Sequence, residues 1–322
     1  MNSAVDRVRS SQQAAAGPHE PDEGIRPGTR LLLRAFVCLT LLAVGQLLLR
    51  PGQTREAFAW HIHAEVTAAF IGAAYAAGAV LSLVALRQRV WSRVRIPVLT
   101  VGVFTTLTLG ATMLHTHKLQ LTDGVPTARG AAWLWLVVYL VVPFACFAVV
   151  GRQGWRRRPA PGARRPMPGW LAVLVGVQGA VLTAAGVLLY LGGVAVHHHA
   201  DAITRFWPWD LMPLSAQVVG AWLIAFGVAA ALVIREGDLA RLVGPSLAYA
   251  VFGGLQLLVL LRYRESVSTG DPWVWAYVGL LLSVVLAGGH GWWTARRDAA
   301  VAVPSPAEAR RSTGERVAEP VG

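Results

Sequence analysis

Residues 65–95 read EVTAAFIGAAYAAGAVLSLVALRQRVWSRVR, and this stretch decides the class of fold. Its first 22 residues carry a single charge, Glu65 at the edge, whereas its last nine include four arginines. An apolar run of about twenty residues is long enough to cross the hydrocarbon core of a bilayer as a helix. Arginines that follow such a run are typical of its cytoplasmic end. The stretch therefore predicts a transmembrane helix.

Seven further apolar runs of similar length follow the same pattern. The eight predicted spans are roughly 31–49, 66–86, 96–114, 131–151, 170–191, 213–234, 243–261 and 273–293. The chain is 55% hydrophobic and only 14% charged, whereas a soluble domain carries about a quarter charged residues. The predicted fold class is therefore all-α: a polytopic transmembrane bundle of about eight helices. Cys38 and Cys146 both lie inside apolar runs, so we expect neither a disulfide nor a thiolate metal site.

The pattern of residues 65–95 returns 148 residues later, in the stretch 213–243. The identities include arginine, proline and glycine, which chance rarely aligns in one register. Identical pairs at this shift include Phe58/Phe206, Ala68/Ala216, Gly72/Gly220, Ala73/Ala221, Arg87/Arg235, Arg93/Arg241, Pro97/Pro245, Phe104/Phe252 and Leu107/Leu255. Such a period indicates an internal duplication. Because four helices per copy is an even number, both copies cross the membrane in the same direction, as a parallel 4+4 repeat.

The duplication organises the chain into five predicted segments. They are a disordered cytoplasmic tail (1–29), a first four-helix repeat (30–151), a basic cytoplasmic linker (152–168), a second four-helix repeat (169–297) and a second disordered tail (298–322). Alanines recur every four residues on the second span, at Ala69, Ala73 and Ala77, and on the sixth span, at Ala221, Ala225 and Ala229. Small residues at this spacing let membrane helices approach closely. We therefore expect these two spans near the middle of the bundle; the alternative is that alanine merely faces lipid.

Basic residues predict the orientation. With the N-terminus in the cytoplasm, the inner segments hold 21 of the 29 lysines and arginines and the outer loops hold seven. This asymmetry predicts a multi-pass plasma-membrane protein with both termini cytoplasmic. It also accounts for the net charge of +12, so the expected partner is the lipid bilayer rather than nucleic acid. Tryptophans cluster at both predicted interfaces, and only Trp222 lies in the middle of a span.

Seven of the nine histidines fall in the predicted outer loops. They are His61, His63, His115, His117, His197, His198 and His199, and Glu65, Asp201 and Asp210 lie in the same loops. Imidazole and carboxylate are ligands that Zn²⁺ or Cu²⁺ uses. The sequence thus allows an outward-facing metal site formed by these histidines with Glu65. The alternative, that the rings are solvated at the membrane interface, stays open because no pair has the spacing of a helix-borne site.

Mildly polar residues inside the spans mark a second candidate site. They are Thr67, Thr105, Thr108, Thr112, Ser215 and Gln256, and Thr67 corresponds to Ser215 and Thr108 to Gln256 at the repeat shift. Such residues can line a small cavity, although hydroxyls within helices often bond to carbonyls of their own helix. Short catalytic signatures are absent from the sequence, which disfavours an enzyme without excluding one.

Three stretches resemble segments that recur in a group of actinobacterial polytopic membrane proteins with no assigned activity. They are residues 67–75 (TAAFIGAAY), residues 104–115 (from FTTLTL to His115) and residues 206–216 (FWPWDLMPLSA) with Gly220 to Trp222. The resemblance implies the same multi-pass architecture. It also implies a proline-bearing entry to the second span, where this chain has His61, His63 and Glu65 instead. A histidine site is therefore not implied for the group as a whole.

These patterns leave three functions open. We expect a non-enzymatic membrane protein that binds or transports a small solute between its two repeated halves. The alternatives are an outward-facing, histidine-rich metal-binding protein and a membrane enzyme that acts on a lipid or isoprenoid.

Overall fold

The computed structural model describes residues 24–154, 166–194 and 206–301. Eight long helices fill these ranges. They are α1 (Pro27–Leu47), α2 (Glu65–Leu86), α3 (Arg95–Leu114), α4 (Pro126–Gln153), α5 (Gly169–Val194), α6 (Pro213–Glu236), α7 (Val243–Arg262) and α8 (Pro272–Val301). Each is long and apolar enough to cross a membrane. The predictions of an all-α bundle and of an integral membrane protein are confirmed.

Proline and glycine set several helix boundaries. Helices α1, α4 and α6 begin at Pro27, Pro126 and Pro213, because the first turn needs no backbone N–H donor from that residue. Helix α6 ends at Gly237, whose φ of +62° lies in the left-handed region that glycine adopts without strain. The residue types at these ends therefore account for where the helices begin and end.

Some boundaries differ from the predicted segments. Helix α1 begins at Pro27, inside the predicted tail 1–29, because its first turn is polar and the apolar run starts only at Leu31. For the same reason α4 extends into the predicted linker 152–168, and α8 extends beyond residue 297. Residues 1–23 and 302–322 lie outside the described ranges, so the predicted disorder of the two tails stays a prediction. Most of the predicted linker, residues 155–165, also lies outside them.

The helices pack in pairs that recur in the first half (α1–α4) and the second half (α5–α8). Helix α1 packs on α2 and α5 on α6, while α3 packs on α4 and α7 on α8. Two further pairs, α2 with α7 and α3 with α6, join the halves. More than half of the apolar windows of α2, α3 and α6 are buried, against a third or less in the other helices. The expectation that spans two and six lie near the middle is confirmed, and α3 joins them.

Backbone hydrogen bonds join loops within each half at the ends of the bundle. We call residues 48–64, 115–125, 206–212 and 263–271 the tryptophan end, and residues 24–26, 87–94, 154, 166–168 and 237–242 the arginine end. At the tryptophan end, Gln120 N–H donates to Ala59 O at 2.9 Å. At the arginine end, Ile25 N–H donates to Arg89 O at 3.1 Å and Met167 N–H to Gly237 O at 3.0 Å. These backbone bonds tie the loops together at both ends.

Candidate functional site

Two tryptophan–hydroxyl hydrogen bonds join the halves near the tryptophan end. Trp209 Nε1 of the second half donates to Thr67 Oγ1 of the first at 2.9 Å. Conversely, Trp60 Nε1 of the first half donates to Ser215 Oγ of the second at 3.4 Å. All four side chains are buried. Thr67 and Ser215, predicted to line a cavity, therefore serve as acceptors between the halves.

The other predicted polar residues differ in whether they bond within one helix or between helices. Thr105 donates to Val101 O at 2.8 Å and Thr112 to Thr108 O at 2.7 Å, which is the bonding within one helix that the alternative interpretation foresaw. Gln256 Nε2 instead donates to Phe70 O of α2, at 3.0 Å. Thr108 Oγ1 and Gln256 Oε1 are buried and meet no hydrogen-bond partner among the described residues.

Aromatic rings pack densely beneath the tryptophan end. One cluster comprises Phe58, Trp60, Trp135 and Tyr139. A second comprises Phe70, Trp207, Trp209 and Tyr277. Neighbouring centroids lie between 4.2 and 6.3 Å apart, the range of favourable aromatic contacts. The two clusters occupy the bundle at this end, where a cavity of about 60 Å³ is lined by residues that include Phe58, Trp135 and Tyr139.

Below the aromatic clusters, three adjoining cavities run toward the arginine end. The central cavity, about 80 Å³, is lined by Leu81, Thr100, Phe104, Thr105, Tyr139 and Trp222 among others. The apolar cavity, about 90 Å³, is lined by residues that include Leu81, Pro97, Thr100, Phe226, Pro245 and Tyr249. The arginine cavity, about 220 Å³, is lined by residues that include Leu81, Gln88, Arg93, Pro97, Arg241 and Arg296. Leu81 lines all three and so lies at their junction.

The central cavity has a distinctive polar lining. Trp222 stacks on Phe104, with ring centroids 3.9 Å apart, but its buried Nε1 has no hydrogen-bond partner among the described residues. Thr100 Oγ1 on the same wall is likewise buried without one. Buried polar groups are nearly always satisfied, because leaving one unpaired costs about 1–3 kcal/mol. A bound molecule or water that accepts from Trp222 and bonds to Thr100 would remove this cost.

Sequence reasoning foresaw only part of this cavity. Thr105 was predicted to line a cavity and does so. Thr100 and Trp222 were missed, although Trp222 carried a signal: it is the one tryptophan placed in the middle of a span, away from both interfaces. An indole that lies away from the membrane interface needs another partner for its N–H.

Charged residues form a buried network beside the arginine cavity. Glu236 at the end of α6 accepts from Arg95 Nη2 of α3 at 2.6 Å and is also paired with Arg241. Arg241 Nε lies 3.1 Å from Asp238 Oδ2. The side chains of all four residues are 6–11% exposed. Because Arg95 and Glu236 belong to different halves, the network fixes α3 against α6 at this end.

The predicted metal ligands form two histidine pairs. The rings of His61 and His63 lie 4.2 Å apart, and those of His115 and His117 lie 6.0 Å apart. His63 Nδ1 lies 2.9 Å from Met212 Sδ, and Glu65 accepts from the hydroxyl of Tyr263 at 3.4 Å. His115 is buried, and its Nδ1 lies 3.2 Å from Ala111 O.

Within the described ranges, no group of three or more His, Cys, Asp or Glu residues is placed to hold a metal ion. His197, His198, His199 and Asp201 lie outside those ranges. Partial burial, together with His63 and Arg55, lowers the pKa of His61 below the ordinary 6.5. The metal site therefore stays a prediction.

Comparison with known proteins gives no indication of the function. No protein-family model matches the chain, and neither a curated protein nor a solved structure shows significant similarity to it. Function must therefore be inferred from the cavities and their chemistry.

Proposed function

We propose that this membrane protein binds or transports a small solute in the central cavity, between its two halves. The observation that carries the proposal is the pair of buried polar atoms, Trp222 Nε1 and Thr100 Oγ1, that lack partners on the wall of this cavity. The remaining wall is mostly apolar and aromatic. A ligand with one hydrogen-bond acceptor on an otherwise apolar body suits this lining, which is the usual character of small-molecule sites.

The two halves are, in this proposal, copies of one four-helix unit related by an axis along the membrane normal. Three features support it: the sequence identities at a shift of 148, the matching helix pairs within each half, and the reciprocal contacts α2–α7 and α3–α6. The tryptophan–hydroxyl bonds are reciprocal in the same way. A cavity at such an interface is a common place for a transporter's site.

The arrangement corresponds to a state with access from the arginine end. The tryptophan end holds the two aromatic clusters around a cavity of about 60 Å³. The apolar cavity and the arginine cavity, of about 90 and 220 Å³, continue from the central cavity in the other direction. With the positive-inside orientation, access would be from the cytoplasm of a cell whose plasma membrane holds the protein. Transport would require a second state in which the aromatic clusters separate.

Cysteine accessibility tests this proposal. In a background carrying Cys38→Ala and Cys146→Ala, we expect Thr100→Cys to react with a small, anionic, membrane-impermeant methanethiosulfonate in inverted vesicles and much more slowly in right-side-out vesicles. Adding Leu81→Trp should block this reaction, because the indole would fill the junction of the cavities. Gln88→Cys, in the arginine cavity, is the matched control and should react with or without Leu81→Trp.

Two results would overturn the proposal. One is an unreactive Thr100→Cys alongside a reactive Gln88→Cys, which would mean that the central cavity is sealed. The other is a rate for Thr100→Cys that Leu81→Trp leaves unchanged, which would mean that the reagent arrives from lipid.

A further inference from the structure

The two halves differ at one residue of the arginine cavity, Gln88, which corresponds to Glu236 at the repeat shift. In the second half, Arg241 is paired with Glu236. At the repeat shift, Arg241 corresponds to Arg93 and Glu236 to Gln88. Arg93 Nη1 donates to Gln88 Oε1 at 3.3 Å, so the contact is kept although the carboxylate is replaced by a neutral amide. The first half therefore retains a positive charge that the second half neutralises.

This retained charge lies on a cavity wall that has no negative charge. Arg93, Arg241 and Arg296 line the cavity, and none of its described lining residues is acidic. The charge of Arg241 is neutralised by Glu236 and Asp238, neither of which lines the cavity. Arg296 lies over the ring of Trp292, 4.8 Å from its centroid, which leaves its charge in place. Two guanidinium groups, those of Arg93 and Arg296, thus make the wall electropositive.

The size and surroundings of the cavity indicate what kind of anion it fits. Its volume of about 220 Å³ admits a phosphate group with part of its ester. It shares Leu81, Pro97 and Pro245 with the apolar cavity, so an apolar chain attached to the anion would have a place to lie. Guanidinium groups bind phosphate oxygens through paired N–H donors.

We propose that the arginine cavity binds a phosphate group, with Arg93 and Arg296 as its ligands and Gln88 as the residue that leaves Arg93 free of a carboxylate. The phosphate belongs either to the headgroup of an anionic lipid, whose chain enters the apolar cavity, or to a small soluble phosphate. This site is distinct from the central cavity, and its test does not depend on whether a solute is transported.

Thermal unfolding of the purified protein in a neutral detergent measures the binding, because a ligand that binds only the folded state raises the midpoint with concentration. The probes are phosphatidylglycerol, phosphatidylcholine as the zwitterionic control, and inorganic phosphate. We expect phosphatidylglycerol to raise the midpoint more than phosphatidylcholine. A response to phosphatidylglycerol but not to inorganic phosphate assigns the site to a lipid headgroup, and equal responses assign it to a soluble phosphate.

Two variants identify the residues: one removes the charge of Arg93, and the other pairs that charge with a carboxylate. Arg93→Gln removes the charge and should weaken binding about tenfold, the cost of one charge-assisted hydrogen bond. Gln88→Glu restores the pairing found in the second half, so it should weaken binding comparably without lowering the midpoint of the ligand-free protein. Arg89→Gln, an exposed arginine of the same loop outside the cavity lining, is the control and should bind as the unaltered protein does.

The proposal fails if neither phosphatidylglycerol nor inorganic phosphate shifts the midpoint beyond the phosphatidylcholine control. It also fails if Gln88→Glu binds the effective probe as tightly as the unaltered protein, because the carboxylate would then have no influence on the site.

Discussion

At the scale of single residues, the reciprocal tryptophan bonds give a direct test of how the halves are held together. Trp209→Phe keeps the ring in its aromatic cluster but removes the N–H that Thr67 accepts. We expect the free energy of unfolding to fall by about 1 kcal/mol, the usual net contribution of such a bond. Trp273→Phe, an exposed tryptophan near the same end, is the control. Equal midpoints for the two variants in detergent unfolding would show that the bond contributes nothing.

His61 is a loop histidine whose surroundings lower its pKa. Because its pKa is lowered in the folded protein, the folded state favours the neutral imidazole. Above pH 6.5 the ring is neutral in both states, so it has no effect on stability; as the pH falls below 6.5 the unfolded state binds the proton first, and stability is lost. We therefore expect His61→Gln to flatten the decrease in unfolding midpoint between pH 7.5 and 5. A slope that His61→Gln leaves unchanged would show that this ring does not contribute to the pH dependence of stability.

The residues also show where sequence reasoning reaches its limit. Thr67 and Ser215 were predicted to line a cavity, but they accept hydrogen bonds from Trp209 and Trp60, which in the sequence looked like ordinary interfacial tryptophans. Which acceptor an indole reaches depends on the packing of two distant segments. Spacing along the chain carries no information about that packing.

At the scale of the helices, glycine rather than alanine permits the closest approach. The alanine stripes correctly predicted that α2 and α6 are buried. Helices α5 and α6, however, approach each other closely at glycines, among them Gly186 and Gly220. A Cβ on Gly220 would lie 2.6 Å from Gly186 O, and a Cβ on Gly186 would lie 2.8 Å from Gly220 O. Sequence alone predicted the spans because apolar runs end at arginine and proline. It did not predict the pairs α2–α7 and α3–α6, since these depend on the shapes of facing side chains.

Gly220→Ala tests this close approach. Alanine is the better helix former by about 1 kcal/mol, so propensity alone would predict a stabilised protein. We expect the opposite, a lower unfolding midpoint, because the new methyl group would separate two backbones that are in contact. Gly254→Ala on α7, where a Cβ meets no atom within 4 Å, is the matched control and should be neutral or stabilising. The same sign for both substitutions would contradict a contact between α5 and α6 at this point.

At the scale of the whole molecule, the two ends of the bundle differ in chemistry. The tryptophan end is closed by aromatic rings and carries the two described histidine pairs. The arginine end carries the ion network and the electropositive cavity. In the proposed duplication both halves carry the same helices, and differences at single positions, such as Gln88 against Glu236 and Trp222 against Ala74, make the two halves unequal. The binding sites that we propose lie at these unequal positions.

The last prediction concerns which side of the membrane each end of the bundle faces. Arginine is retained on the cytoplasmic side during insertion, and 21 of the 29 basic residues lie in segments that share one side in the predicted topology. Fusions truncated after Arg93 or Gly154 should therefore give fluorescent green fluorescent protein and inactive alkaline phosphatase. Fusions after Asp123 or Asp271, at the opposite end, should give the reverse. Active phosphatase after Arg93 would invert the topology, and the arginine cavity would then face the outer leaflet, where a soluble cytoplasmic phosphate could not reach it.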